Sequence, residues 1–374
     1  MTWHGNSWIL FDDAAQVIIM VVNQLLLKQH IERIAIVRAL PGLENLMCII
    51  PALRALRAAF PHAHITLIGL FSPEIIKQRW RHLIDDFVEF PGYPGIPESP
   101  SVHKIPEFLA KVQALHFDLA LQMHDNGTII NSFISLLGAR INAGFYMSGY
   151  YCPDPTHFIH YPDNQPEIWR HLQLMKFLGI PVQDDKLEFP LLQTDFIEFS
   201  KIEAANYLQP DKYVCIYLDD FQRHLSAEDL AKIADAITER SYQVVLTGSV
   251  EQTNLAATVA SLSSISSVNL VGKISIGALS ALLVNTSLLI CNNIFVSYLA
   301  AALHTKSIVI LDGEVERWAP QDRQLHRILS SDYKIITEWI GFNNEGNLRQ
   351  MSAKLAVNPA MVMTQVEALL SSKF

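Results

Sequence analysis

The residues able to do chemistry in this chain lie in short polar loops, each directly behind an apolar run. The first is Arg38-Ala39-Leu40-Pro41-Gly42-Leu43-Glu44-Asn45, which offers a guanidinium, a carboxylate and an amide. The second is His124-Asp125-Asn126-Gly127. Further on come Asp219-Asp220-Phe221-Gln222-Arg223, Thr247-Gly248 with Glu251 close behind, Gly272-Lys273, and Asn292-Asn293 followed by Tyr298. A carboxylate or imidazole so placed can accept a proton from a substrate. Metal chemistry is not expected. The cysteines Cys48, Cys152, Cys215 and Cys291 form no Cys-x-x-Cys pair, and Cys48, Cys215 and Cys291 sit in apolar runs that suit buried thiols in a reducing compartment. His62 and His64 follow Pro61 as a solvated loop would, and Asp219-Asp220 is adjacent rather than spaced by one residue. No organic cofactor is implied either.

The elements that must position these loops alternate between strand and helix. Ile34-Ala35-Ile36-Val37 reads as a buried strand, Leu46 to Phe60 has helical apolar spacing stopped by Pro61, and Ile65-Thr66-Leu67-Ile68-Gly69 is the next strand. That is one βαβ unit, which implies a parallel sheet with both faces covered. Tyr93 to Pro106, rich in proline, reads as an exposed connection; a helix from Glu107 to Leu115 and a strand Leu119-Ala120-Leu121-Gln122-Met123 follow. A second alternating series begins at Tyr213-Val214-Cys215-Ile216-Tyr217. It continues through strands at Gln243–Thr247, Val268–Gly272, Ser287–Cys291 and Ser307–Leu311. The expected fold class is α/β: two Rossmann-like domains with parallel sheets facing a central cleft, residues 1–182 and 183–374, joined near residues 182–212. The C-terminal helix is a candidate to cross back to the first domain. Ligands of such sheets bind beyond the carboxyl ends of the strands, where the polar loops are.

Taken in order, these pieces resemble glycosyltransferase family 9, the ADP-heptose:lipopolysaccharide heptosyltransferase group, whose architecture is GT-B. The resemblance is carried by Val37-Arg38 and its glycine-containing loop, then Ile50-Pro51-Ala52-Leu53; by Gln122-Met123-His124 with Leu137-Gly138-Ala139-Arg140; and by Leu246-Thr247-Gly248, Leu270-Val271-Gly272-Lys273, Leu299-Ala300-Ala301-Ala302-Leu303 and Trp318-Ala319-Pro320. It implies that Glu44, counted forward from Arg38, stands where the family has its general-base Asp. Counted back from Pro51, that position is Asn45, and an ordinary acid at a helix start remains the other reading of Glu44. The resemblance places a saccharide or lipid-linked acceptor against Arg38, Asn45 and His124, with Arg54 and Arg57 as further counter-charges or as a solvated helix face. It places a nucleotide-diphosphate sugar of the ADP-heptose kind against Arg223, Thr247, Gly248, Glu251, Lys273, Asn292, Asn293 and Tyr298. Here the chain departs from the family, which has Asp, Ser or Thr, Gly, Pro, a variable residue and His before the alanine-rich helix. Asn293 replaces the Asp, Phe295 the Gly and Tyr298 the His. Phe295 puts a ring where bare backbone should meet a diphosphate, and Asp219 and Asp220 bring like charge to the same place.

Three functions stay open on the sequence: a glycosyltransferase with an altered donor site, a weak or inactive homologue acting as a binding or partner subunit, and an unrelated two-domain α/β enzyme such as a sugar-nucleotide epimerase. The 374 residues, half of them hydrophobic and 17% charged, are ample for two cores, and a net charge of −9 argues against broad binding to nucleic acid or anionic lipid. No secretory signal is visible. The apolar run Val17 to Leu27 is too short to span a bilayer and reads as a helix packed on the first domain. A cytoplasmic protein, with peripheral contact at the inner face of a membrane, is the expectation.

Overall fold

The computed structural model describes residues 26–96, 102–219, 221, 224–311, 313, 315–330, 339–342, 348–350 and 357–371. The apolar run from Val17 lies outside them except for a 3-10 turn at Leu26–Lys28. The chain divides into two compact units, residues 1–185 and 186–374, and each has its own six-stranded parallel sheet.

In the first unit the strands are β1 (Arg33–Arg38), β2 (His64–Gly69), β3 (Asp86–Glu89), β4 (Leu119–Gln122), β5 (Ile141–Tyr146) and β6 (Phe158–His160). Their order is β3-β2-β1-β4-β5-β6, with Val37 level with Gln122 across the β1–β4 pair. Ile34, Ala35, Ile36 and Val37 are all fully buried, which is why β1 is a continuous apolar run rather than an alternating one. The helical stretch expected from Leu46 to Phe60 is two helices, Leu43–Met47 and Ile50–Ala59. The break precedes Pro51, which has no amide hydrogen to give to a preceding turn and instead sits in the first turn of the new helix. Helix Ile130–Leu136, behind the His124 loop, is anchored by Phe133, whose ring meets Phe90 and Tyr93 edge-on at centroid distances of 5.0 and 5.3 Å.

The second unit repeats the plan. Its strands are β7 (Tyr213–Leu218), β8 (Gln243–Gly248), β9 (Val268–Asn269), β10 (Leu288–Cys291), β11 (Ser307–Leu311) and β12 (His326–Ser330), in the order β12-β11-β10-β7-β8-β9. Val214, Ile216, Leu246, Ile290 and Ile308 from the sheet pack with Ile233, Ile237 and Val259 from its helices. The C-terminal helix Pro359–Ser371 adds Val362, Val366 and Leu369 to that same core, so it stays with the second unit. The segment expected to be a plain join contains helix Gln193–Ser200, which packs on helix Ile276–Val284 and is pinned by a 2.7 Å hydrogen bond from Ser275 Oγ to Glu198. Among the described residues no helix is long and apolar enough to cross a membrane.

Both sheets reverse their strand order at one point, between β1 and β4 in the first unit and between β7 and β10 in the second. At such a reversal the connections leave on opposite faces, opening a crevice at the carboxyl ends of the two strands.

Candidate functional site

The first-unit crevice is built around Arg38, the last residue of β1, which is fully buried. Its guanidinium makes a two-point grip on Asn45, from Nε to the backbone oxygen (3.0 Å) and from Nη2 to Oδ1 (2.9 Å). Nη1 reaches the carbonyl oxygens of Met123 (2.8 Å) and His124 (3.0 Å), and Glu167 Oε1 at 3.1 Å. Nη2 also donates to Cys48 Sγ at 3.2 Å. Burial works against the charge, yet the Cys48 sulfur and the Glu167 carboxylate outweigh it and hold the Arg38 pKa above its ordinary value. Arg38 therefore faces inward and ties the two loops of the crevice together. Cys48, Glu167 and His171 bring ligand-type atoms within 4.8 Å of one another, and the positive charge among them is this guanidinium.

Glu44 stands half-buried in the first turn of helix Leu43–Met47. Gly42, at φ +89°, makes room for it: a β-carbon on Gly42 would lie 2.1 Å from Glu44 Oε1. Loss of water raises the Glu44 pKa, against the opposing pull of its own backbone amide and of Arg38. Asn45 Nδ2 donates to the Pro41 carbonyl at 2.6 Å and reaches Glu44 Oε1 at 3.4 Å, closing the loop on itself. His124 accepts the Ala39 amide on Nδ1 at 3.2 Å. Burial first, and then the Arg38 charge, lower its pKa to about 3, so it is neutral near pH 7 and has little basicity to offer. Arg54 and Arg57, the other expected counter-charges, are committed to Asp184 (2.6 Å) and Asp85 (2.5 Å).

Helix Glu167–Phe177 joins this site without having stood out in the sequence. Glu167, Arg170 and His171 are all buried; Glu167 Oε2 accepts Arg170 Nη1 at 3.0 Å, and His171 Nε2 lies 3.3 Å from Arg38 Nη1. Burial lowers the His171 pKa to about 4. The available signal was charge spacing: Glu167, Arg170 and His171 fall at i, i+3 and i+4 and share one helix face.

The second-unit crevice lies between β7 and β10. Asn293 caps helix Ile294–Ala302, its Oδ1 accepting the Val296 amide at 3.0 Å, while its Nδ2 donates to Asp219 Oδ2 at 2.7 Å. The crevice is thus bridged by the chain's own side chains, with a carboxylate next to the helix start. Phe295 is half-buried in the first turn of that helix, and Tyr298 is fully buried in its body, turned away from solvent. Thr247, level with Tyr217 across the β7–β8 pair, is fully buried; its Oγ1 and Asn292 Oδ1 are buried without a hydrogen-bond partner. Gly248 ends β8. Lys273 is exposed and donates to the Asn269 carbonyl at 2.9 Å. Glu251 is exposed, its pKa lowered by the Ser249 hydroxyl. Arg223 and Asp220 lie outside the described residues. The structure thus gathers Asn292, Asn293 and Asp219 at one crevice and leaves Glu251 and Lys273 on the surface.

The sequence profile of glycosyltransferase family 9 (heptosyltransferase) matches residues 107–335. No curated protein sequence matches the chain. Among solved structures, the glycosyl transferase family 9 protein of Veillonella parvula DSM 2008 is 18% identical, with a TM-score of 0.70 over 91% of this chain and 97% of that one. E. coli ADP-heptose LPS heptosyltransferase II is 16% identical, with a TM-score of 0.60 over 91% and 98%. E. coli heptosyltransferase WaaC with ADP is 14% identical, with a TM-score of 0.56 over 90% and 98%. At these identities the structural likeness speaks for the fold.

Proposed function

The chain belongs to glycosyltransferase family 9, and from that premise we propose that it transfers a heptose-like sugar from a nucleotide-diphosphate sugar to a saccharide or lipid-linked acceptor. In this reading residues 1–182 hold the acceptor and residues 183–374 the donor. Glu44 takes the proton from the acceptor hydroxyl as it attacks the anomeric carbon. The observation that carries the reading is the Glu44 carboxylate, half-buried at the strand-order reversal, where loss of water raises its pKa and makes it more basic than a free glutamate. Arg38 acts from beneath as a scaffold, and the acceptor meets the Glu44–Asn45 loop and the Nε2 edge of His124. Release of ADP from ADP-heptose in the presence of a saccharide acceptor tests it: the wild-type protein turns over and Glu44→Gln does so far more slowly. No turnover with any nucleotide-linked sugar would overturn it.

A second reading, a homologue that binds but transfers poorly, is favoured by one feature. The Asp219 carboxylate held by Asn293 places negative charge beside the helix start where a diphosphate would otherwise sit. Two unit charges about 4 Å apart repel by about 1 kcal/mol in water and about 4 kcal/mol near a protein surface. Turnover with ADP-heptose at saturating concentration separates the two readings: the transferase releases ADP and the binding homologue does not.

A further inference from the structure

Three elements of the first unit meet at Arg38. Strand β1 supplies the guanidinium, the short helix Leu43–Met47 behind it supplies Asn45, and helix Glu167–Phe177 supplies Glu167. The fork of Arg38 grips Asn45 on one side (3.0 and 2.9 Å) and meets Glu167 Oε1 on the other (3.1 Å). Asn45 in turn donates to Pro41 and reaches the Glu44 carboxylate. A guanidinium this deeply buried needs a counter-charge, and Glu167, itself buried, is the carboxylate within hydrogen-bond reach of it among the described residues. Glu167 also holds Arg170, which is fixed by the Tyr161 hydroxyl and the Pro162 and Asp163 carbonyls.

We propose that Glu167 is a positioning residue for Glu44: by fixing and neutralising Arg38 it sets, through Asn45, both the place of the Glu44 carboxylate and the field in which that carboxylate ionises. The catalytic consequence rests on the reading of Glu44 as the base, whereas the placement does not. Glu44 is faced by Asn45 and by the charge of Arg38; around Arg38 in turn stand Cys48, the His124 carbonyl from the loop after β4, and Glu167 and His171 from the helix, with Arg170 and Tyr161 behind Glu167. Arg38 is the cation that acts on Glu44, pulling its pKa down. Glu167 partly cancels that pull.

The test is a carboxyl-carbon NMR titration of Glu44 in the full chain, the signal assigned by its loss in Glu44→Gln. In Glu167→Gln the shape of the contact is kept and the counter-charge is lost, so Arg38 acts undiminished and Glu44 titrates at lower pH than in the wild type. Unchanged titration in a folded Glu167→Gln protein overturns the proposal. Should that variant not fold, the double variant Arg38→Gln/Glu167→Gln removes the charge of Arg38 together with its counter-charge, a change that buried pairs tolerate better than loss of one partner, while Arg170 keeps the Tyr161 hydroxyl and the Pro162 and Asp163 carbonyls. There the pull of Arg38 is gone and Glu44 titrates higher than in the wild type; no upward shift overturns the proposal. A part that merely fills space would not move the titration in opposite directions. If the NMR titration moves while the pH profile of transfer does not, the placement stands and the reading of Glu44 as base fails.

Discussion

A glutamate becomes a useful base near neutrality when its surroundings favour the proton without burying the oxygen beyond reach of a substrate. Glu44 meets both conditions: burial raises its pKa, and the residue keeps part of its surface. Glu44→Gln keeps the shape and removes the proton acceptor, so turnover falls by about 10²–10⁴-fold. In the wild type, activity is lost as pH falls through the raised Glu44 pKa, at a higher pH than an unperturbed glutamate would give; an initial-rate profile from pH 4 to 8 measures this. His124 and His171, with pKa values lowered to about 3 and about 4, are neutral in the fold. Their contribution to stability is complete above the ordinary histidine pKa, near 6.5. It is lost as pH falls below that value, because the unfolded chain takes up protons that the fold refuses, at most about 1.4 kcal/mol per histidine per pH unit. Urea unfolding at pH 7 and pH 5, followed by the fluorescence of buried Trp80, therefore shows a less stable protein at pH 5. Glu44 is reached by counting along the short segment that leads from the end of β1 into the first helix. Glu167 is not, because it stands 129 residues from Arg38, and a charged triplet on an amphipathic helix looks like a solvated face until the fold buries it.

At the scale of elements, the site depends on how strands end. Gly42→Ala adds a β-carbon where Glu44 Oε1 sits, at a backbone angle that disfavours side chains, costing about 1–2 kcal/mol of stability and displacing the proposed base. Its turnover is expected to fall towards that of Glu44→Gln, with an unfolding midpoint lowered in the same preparation. In the second unit Asn293→Ala removes the cap of helix Ile294–Ala302, a loss of about 0.5–2 kcal/mol. It also removes the hydrogen bond to Asp219, and thermal melts of Asn293→Ala beside Asn293→Asp, which keeps a capping oxygen but cannot donate to Asp219, show whether the cap or that hydrogen bond matters more. Strands β1, β2, β4, β7, β8, β10 and β11 were legible because parallel strands covered on both faces are continuous apolar runs. β5 was not, because Asn142 and Gly144 interrupt it; a β-carbon on Gly144 would lie 2.6 Å from Gln122 Cβ, so close packing against β4 requires the very residue that reads as a break. The short edge strands β3, β6 and β12 and the helix Gln193–Ser200 carried too few periodic residues to stand out from their loops.

For the molecule as a whole, the net charge of −9 and the Asp219–Asn293 pair work against an anionic donor, while the family and the unsatisfied Thr247 and Asn292 oxygens leave polar capacity for a sugar-bearing one. If long-range repulsion limits donor binding, raising ionic strength from about 0.01 to 0.15 M, which shortens the screening length from about 30 to 8 Å, should tighten ADP binding; a site that attracts the diphosphate would weaken instead. In the proposed donor site the Phe295 ring is a steric obstacle that salt does not touch. Calorimetric titration of ADP and ADP-heptose into the full chain tests the altered donor site most directly. Weak binding by the wild type is expected, with little change in Phe295→Gly alone or in Asp219→Thr/Asp220→Thr alone, and a clear gain, about tenfold or more, when all three substitutions are combined. Low-micromolar binding of ADP by the wild-type protein would contradict it and return this chain to the ordinary donor chemistry of its family.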